Sequence, residues 1–125
     1  VVYAVSSLDP DLMYLECEVF YNGTYANTIQ TDVNSKLYEY MANITFGGDI
    51  VVTSLIDYLQ TVPGFSDIFI NYLGVRSSVT PFASKTLLID NDALILKSST
   101  TIAGYVIEEN TVGETFLDKI TFTAI

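Results

Sequence analysis

The chain has 125 residues and a mass of 13.8 kDa, and half of its residues are hydrophobic, which is the size of one domain with enough apolar material for a core. Fifteen acidic residues against five basic ones give a net charge of −10, which repels the phosphates of nucleic acids and of anionic membranes. Histidine is absent, which removes the commonest general base and transition-metal ligand, and no apolar run approaches the roughly 20 residues that span a bilayer, so the reading is of a soluble protein.

Residues 1–5 are apolar enough for a strand, which loop residues 6–10 interrupt. The chain begins at Val1 with neither a methionine nor a charged-then-apolar leader, and is read as a processed chain or an excised segment. Residues 12–21 alternate: Met13, Leu15, Cys17, Val19 and Tyr21 share one face, while Tyr14, Glu16, Glu18 and Phe20 share the other. This predicts a half-buried strand that Asn22-Gly23 ends. Cys17 is the single cysteine, so no internal disulfide can form and its expected role is packing. The triplets beginning at Asn22 and Asn43 fit the glycosylation sequon, a pattern too common to identify a compartment.

Asn27 is a suitable helix cap with Gln30 three residues on, and Ile29, Val33, Leu37, Met41 and Ile44 trace one helical stripe with Tyr38 and Tyr40 at its margin. Gly47-Gly48 marks a turn, and the β-branched run 50–52 predicts one short strand. Thr53 or Ser54 would cap a second helix carrying Leu55, Leu59 and Val62 on its apolar side, and Pro63-Gly64 would stop it. From Asp67 the alternation returns, with Ile68, Ile70 and Tyr72 expected on one face and Phe69, Asn71 and Leu73 on the other.

Beyond Gly74 the signals are those of strands. Residues 87–89 and 93–96 flank Asp90-Asn91-Asp92 as a hairpin would, 102–107 and 119–125 are further strands, and 108–113 is a polar loop between them. The best boundary in the chain is 76–81.

The residues that carry most specificity are Phe46-Gly47-Gly48, Thr53-Ser54-Leu55-Ile56 and Val62-Pro63-Gly64-Phe65-Ser66-Asp67-Ile68. Together they resemble the C-terminal region of the baseplate J-like family, the wedge proteins of contractile phage tails and related injection machines. The last segment corresponds to the family's V-P-G-V-x-D-V run, with Phe65 in place of its small aliphatic residue. None of these motifs is catalytic. The resemblance implies a virion component that binds other copies of itself and other baseplate proteins, without cofactor or turnover.

The candidate chemical groups support no other activity. A carboxylate pair suits glycoside hydrolysis, but sequence alone sets none of the fifteen acids across a cleft. Asp90-Asn91-Asp92 starts like a calcium loop yet lacks its glycine and terminal glutamate, so a turn is the better reading. Glu108, Glu109 and Glu114 are read as a solvated acidic loop rather than a cation site, and Gly47-Gly48 lacks the lysine and spacing of a phosphate loop. Metal, cofactor and catalytic residues are thus expected to be none. Tyr14 and Phe20, on the polar face of the first strand, suggest a surface that another chain or the C-terminal half covers. Phe122 and Ile125, in the apolar terminal strand, complete the expected partner interface.

The expected fold class is α+β: a mainly antiparallel sheet with two helices on one face, followed by a β-rich extension. Residues 1–75 would form the α+β domain and 76–125 a small β-rich lobe. The expected function is structural assembly in a phage tail baseplate or related machine. The alternative is a secreted or cell-surface β-rich module binding a glycan or protein, which the tyrosines and the acidity would also suit.

Overall fold

The computed structural model describes residues 10–44, 48–101 and 106–125. The strand expected at 1–5, Gly47 of the glycine pair and most of the 102–107 strand lie outside the described residues. Its elements run in the order β1 (Asp11–Tyr21), α1 (Ile29–Ala42), β2 (Asp49–Val51), α2 (Val52–Leu59), β3 (Phe65–Arg76), β4 (Thr86–Asp90), β5 (Ala93–Leu94), β6 (Ser98–Thr100), β7 (Val106–Glu108), the one-turn helix α3 (Phe116–Lys119) and β8 (Ile120–Ala124).

β1 is the central strand. β3 runs antiparallel to it along its whole length, from Leu12 opposite Arg76 to Tyr21 opposite Phe65, and β4 and β5 extend that side antiparallel. On its other side β1 takes two short parallel partners end to end, β7 at Asp11, Leu12 and Met13 and β8 from Cys17 to Tyr21. The result is a six-stranded, mainly antiparallel sheet, with β2 and β6 paired antiparallel in a separate ribbon. This is the α+β class that the alternating strands and helical stripes lead one to expect.

The core lies on the odd-numbered side of β1. Met13, Leu15, Cys17 and Val19 form one buried cluster with Ile29, Val33, Leu37, Met41 and Ile44 of the first helical stripe and with Val52, Leu55 and Leu59 of α2. Tyr40, expected at the margin, is instead 7 % exposed. Its hydroxyl donates to the carbonyl of Val51 at 3.2 Å and accepts from the Val51 amide at 3.0 Å, so the ring is buried because its polar end is satisfied. α2 begins at Val52 rather than after a Thr53 or Ser54 cap, and the Val52 amide is met by the Lys97 carbonyl at 3.0 Å. α1 likewise starts behind Thr28, not Asn27, and without a side-chain cap.

The alternation in β3 breaks twice, at Ser66 near its start and at Asn71 in its middle, and the second break decides the faces of the strand's far half. Glu16 pairs with Tyr72 and Cys17 with Ile70, so Asn71 is left as a bulge and every side chain beyond it changes face. Leu73 therefore joins Ile70 in the core opposite Leu15, while Tyr72 turns to the other side with Phe69. This corrects the expected grouping of Ile70 with Tyr72.

Gly64 explains the Pro-Gly element of the motif. Its φ is +84°, and a Cβ there would lie 2.4 Å from Cγ and 2.7 Å from Cβ of Tyr25, while its carbonyl accepts from the Asn22 amide at 2.9 Å. The start of β3 can thus press against the turn that follows β1 only if residue 64 has no side chain. Gly64→Ala is expected to lower stability by about 1 to 3 kcal/mol, from left-handed strain and the need to displace Tyr25. Denaturant unfolding checks this; an unchanged midpoint would show that Tyr25 yields freely.

Candidate assembly surfaces

The even-numbered side of β1 presents Tyr14, Glu16, Glu18 and Phe20, and its two ends differ. At one end Tyr14 is only 5 % exposed, because Phe82 packs edge-on against its ring with centroids 5.3 Å apart and the Lys85 ammonium lies 4.9 Å from the ring centroid. The Tyr14 hydroxyl donates to Glu16 Oε1 at 2.8 Å, and burial followed by that carboxylate raises its pKa. The chain's own segment after β3 thus covers Tyr14. At the other end Phe20 is half-buried and stands opposite Asp67 of β3 and beside Thr123 of β8.

Phe122 lies on the opposite side of the sheet from Phe20. It is in register with Val19 and packs against the core cluster. Ile125 follows β8, donates its amide to the Tyr21 carbonyl at 2.9 Å and leaves its side chain 72 % exposed. Among the described residues β8 pairs with β1 alone, so the backbone of its outer edge is open to another strand. Of the four residues expected at an interface, Tyr14 is thus covered within the chain, Phe20 and Phe122 lie on opposite sides of the sheet, and Ile125 is exposed.

Sequence reasoning missed Phe69. It stands opposite Glu18, 44 % exposed, on the even-numbered side of the sheet. The available signal was Asn71, a residue depleted in strands whose interior position hints at a break in the alternation.

The three glutamates read as a solvated loop are largely occupied. Glu109 is fully buried and holds Arg76 in a two-pronged pair, with Nε to Oε1 and Nη2 to Oε2 both 2.8 Å. It also accepts from the amides of Asn110 and Thr111 and from the Thr111 hydroxyl. Arg76 uses its remaining Nη1 on the Thr80 carbonyl at 2.7 Å, so one ion pair ties the 76–80 turn to the 109–111 loop. Glu108 accepts from the Tyr38 hydroxyl and from the Phe116 amide, both at 2.7 Å, joining α1 to α3. Glu114 lies 3.7 Å from Lys119. Among the described residues no group of three or more Cys, Asp and Glu is placed to hold a metal ion. Asn91 and Asp92, with φ of 46° and 77°, form the two-residue turn of the β4–β5 hairpin.

Cys17 is buried in the core, and that burial pushes its thiol up to about 12. The thiolate is the reactive form, so an aromatic disulfide reagent at neutral pH is expected to label Cys17 only on unfolding. Rapid labelling of the native chain, read by absorbance, would show that β8 opens readily from β1.

The family model described as baseplate J-like protein C-terminal domain matches residues 19–80, from the last three residues of β1 through α1, β2, α2 and β3. No curated protein and no solved structure matches the chain.

Proposed function

We propose, on the premise that residues 19–80 belong to the baseplate J-like family, that this chain is a structural assembly domain of a phage tail baseplate wedge or a related contractile injection machine. The match to that family is the observation that carries the reading. Its partners are neighbouring copies of itself and other baseplate proteins, bound through protein surfaces, in the assembled particle. The domain is a rigid module that holds a ring together and passes on a conformational change when the tail engages its host; it performs no turnover. Residues 76–125 act as its β-rich extension, and β8 with Phe122 and Ile125 is the first contact we assign to another chain, with Phe20 on the opposite side of the sheet from Phe122 and Tyr14 covered by the chain itself.

Two features support that assignment. The outer edge of β8 is unpaired among the described residues, and an exposed isoleucine lies at its end. A specific contact there is expected to bury more than about 1,000 Å² in total.

Purified particles from cells producing the full-length protein test the reading, with peptide mass spectrometry to detect the chain. Ile125→Asp is expected to leave the fold intact, because the side chain is 72 % exposed, and to reduce incorporation into particles. Absence of the wild-type chain from particles would overturn the assembly role, and normal incorporation of Ile125→Asp would overturn the role of the β8 end.

A further inference from the structure

The even-numbered face of the sheet, beyond the part covered by Phe82 and Lys85, is aromatic and acidic at once. The bulge at Asn71 places Tyr72 opposite Glu16, and the register then sets Phe69 opposite Glu18 and Phe20 opposite Asp67. Phe69 is 44 % exposed, far more than a sheet face needs to be when something packs on it. Glu18 accepts from the Thr123 hydroxyl and Asp67 from the adjacent Ile68 amide, so the hydrogen-bond donor to each is a neutral group. Glu16, by contrast, has a cation nearby, Lys119 at 3.8 Å.

We propose that this face seats a basic segment of a different protein, which lays apolar side chains on Phe20 and Phe69 and sets lysine or arginine against Glu18 and Asp67. The proposal deepens the assembly reading above and rests on it. Charge decides against a second copy as the occupant. A face-to-face contact between two copies would bring Glu18 and Asp67 against their own equivalents, and the chain carries a charge of −10. It also has few cations to offer. Of its five basic residues, Lys36 pairs with Glu39, Arg76 with Glu109 and Lys119 with Glu16 and Glu114, while Lys85 lies over the rings of Tyr14 and Phe82. Four of the five are thus engaged within the chain. A cationic partner would meet two charges that need no internal pair to be broken, and two aromatic rings able to cover its aliphatic stems or stack on its guanidinium.

Carboxyl footprinting tests this, with a carbodiimide and glycine ethyl ester applied to intact particles and to the free full-length chain. Glu18 and Asp67 are expected to be modified several-fold less in particles, and Phe69→Ser and Asp67→Lys, each checked for folding by circular dichroism, are expected to lower incorporation. Asp67→Asn is expected to make incorporation less sensitive to salt than in the wild type. Equal modification in particles and free chain would overturn the proposal while leaving the assembly role standing. Protection that arises in the concentrated free chain as it dimerises would overturn it in favour of a second copy. Absence of the chain from particles would remove both readings together.

Discussion

Arg76→Met is expected to cost about 3 to 5 kcal/mol of stability at neutral pH, because it strands a fully buried carboxylate at Glu109. Glu109 would lose both guanidinium bonds while keeping only those from Asn110 and Thr111, and the 76–80 turn would lose its anchor at the Thr80 carbonyl. Replacing both partners at once, Arg76→Met with Glu109→Leu, is expected to recover much of that loss, since neither charge is then left unpaired. The pair also sets an acid limit. Burial alone would raise the Glu109 pKa, but the Arg76 and Thr111 hydrogen bonds outweigh it and hold the carboxyl below its ordinary value. A carboxyl depressed in the folded state contributes stability above its unfolded value, roughly 4.3, and that contribution is lost as pH falls through the folded value. Glu109→Gln is therefore expected to be less stable near neutrality and to lose less on acidification than the wild type. Urea unfolding between neutral pH and the acid range reads both effects; single-variant losses below about 1 kcal/mol would mean that the clamp is dispensable.

Leu37→Ala and Leu59→Ala are each expected to destabilise the fold by about 2 to 5 kcal/mol. Leu37 is 0 % and Leu59 1 % exposed, on the two helices that share the core with β1. Each truncation removes transfer energy and leaves a cavity that close-packed neighbours cannot fully refill. Against a total stability of about 5 to 15 kcal/mol, the double variant is expected to be largely unfolded at room temperature. Unchanged midpoints in both single variants would show that the helices are held by something other than these faces.

The parts of the fold that a sequence reveals here are those governed by local periodicity. The alternation in 12–21 and the stripe of Ile29, Val33, Leu37, Met41 and Ile44 need no partner to be seen, and β1, α1 and the core side of each follow from them. The β4–β5 turn was legible for the same reason, because Asn91 and Asp92 tolerate positive φ. What failed to show was set by distant residues. Tyr40 is buried because Val51 supplies both of its hydrogen bonds, and Tyr14 because Phe82 and Lys85 fold over it. Glu109 reads as a solvated acid until Arg76 arrives from 33 residues away. The Asn71 bulge shifts the far half of β3 by one residue, which moves Tyr72 to the open face of the sheet and Leu73 into the core. The surfaces suggested for assembly suffered from the same blindness: Phe20 and Phe122 are close along the sheet edge, yet only the parallel register of β8 reveals that they point to opposite sides.

That parallel register also governs when the domain can come into being. Thr121 and Cys17, joined by a side-chain hydrogen bond across the β1–β8 ladder, are 104 residues apart in sequence. On the ribosome, the outer edge of β1 from Cys17 to Tyr21 waits for its β8 partner until the whole stretch between the two strands has emerged. Closing so long a loop carries an entropic cost that is recovered only when β8 docks, which favours slow folding. During that wait the nascent chain offers an unpaired strand edge, so synthesis among neighbouring chains carries a risk of pairing too soon.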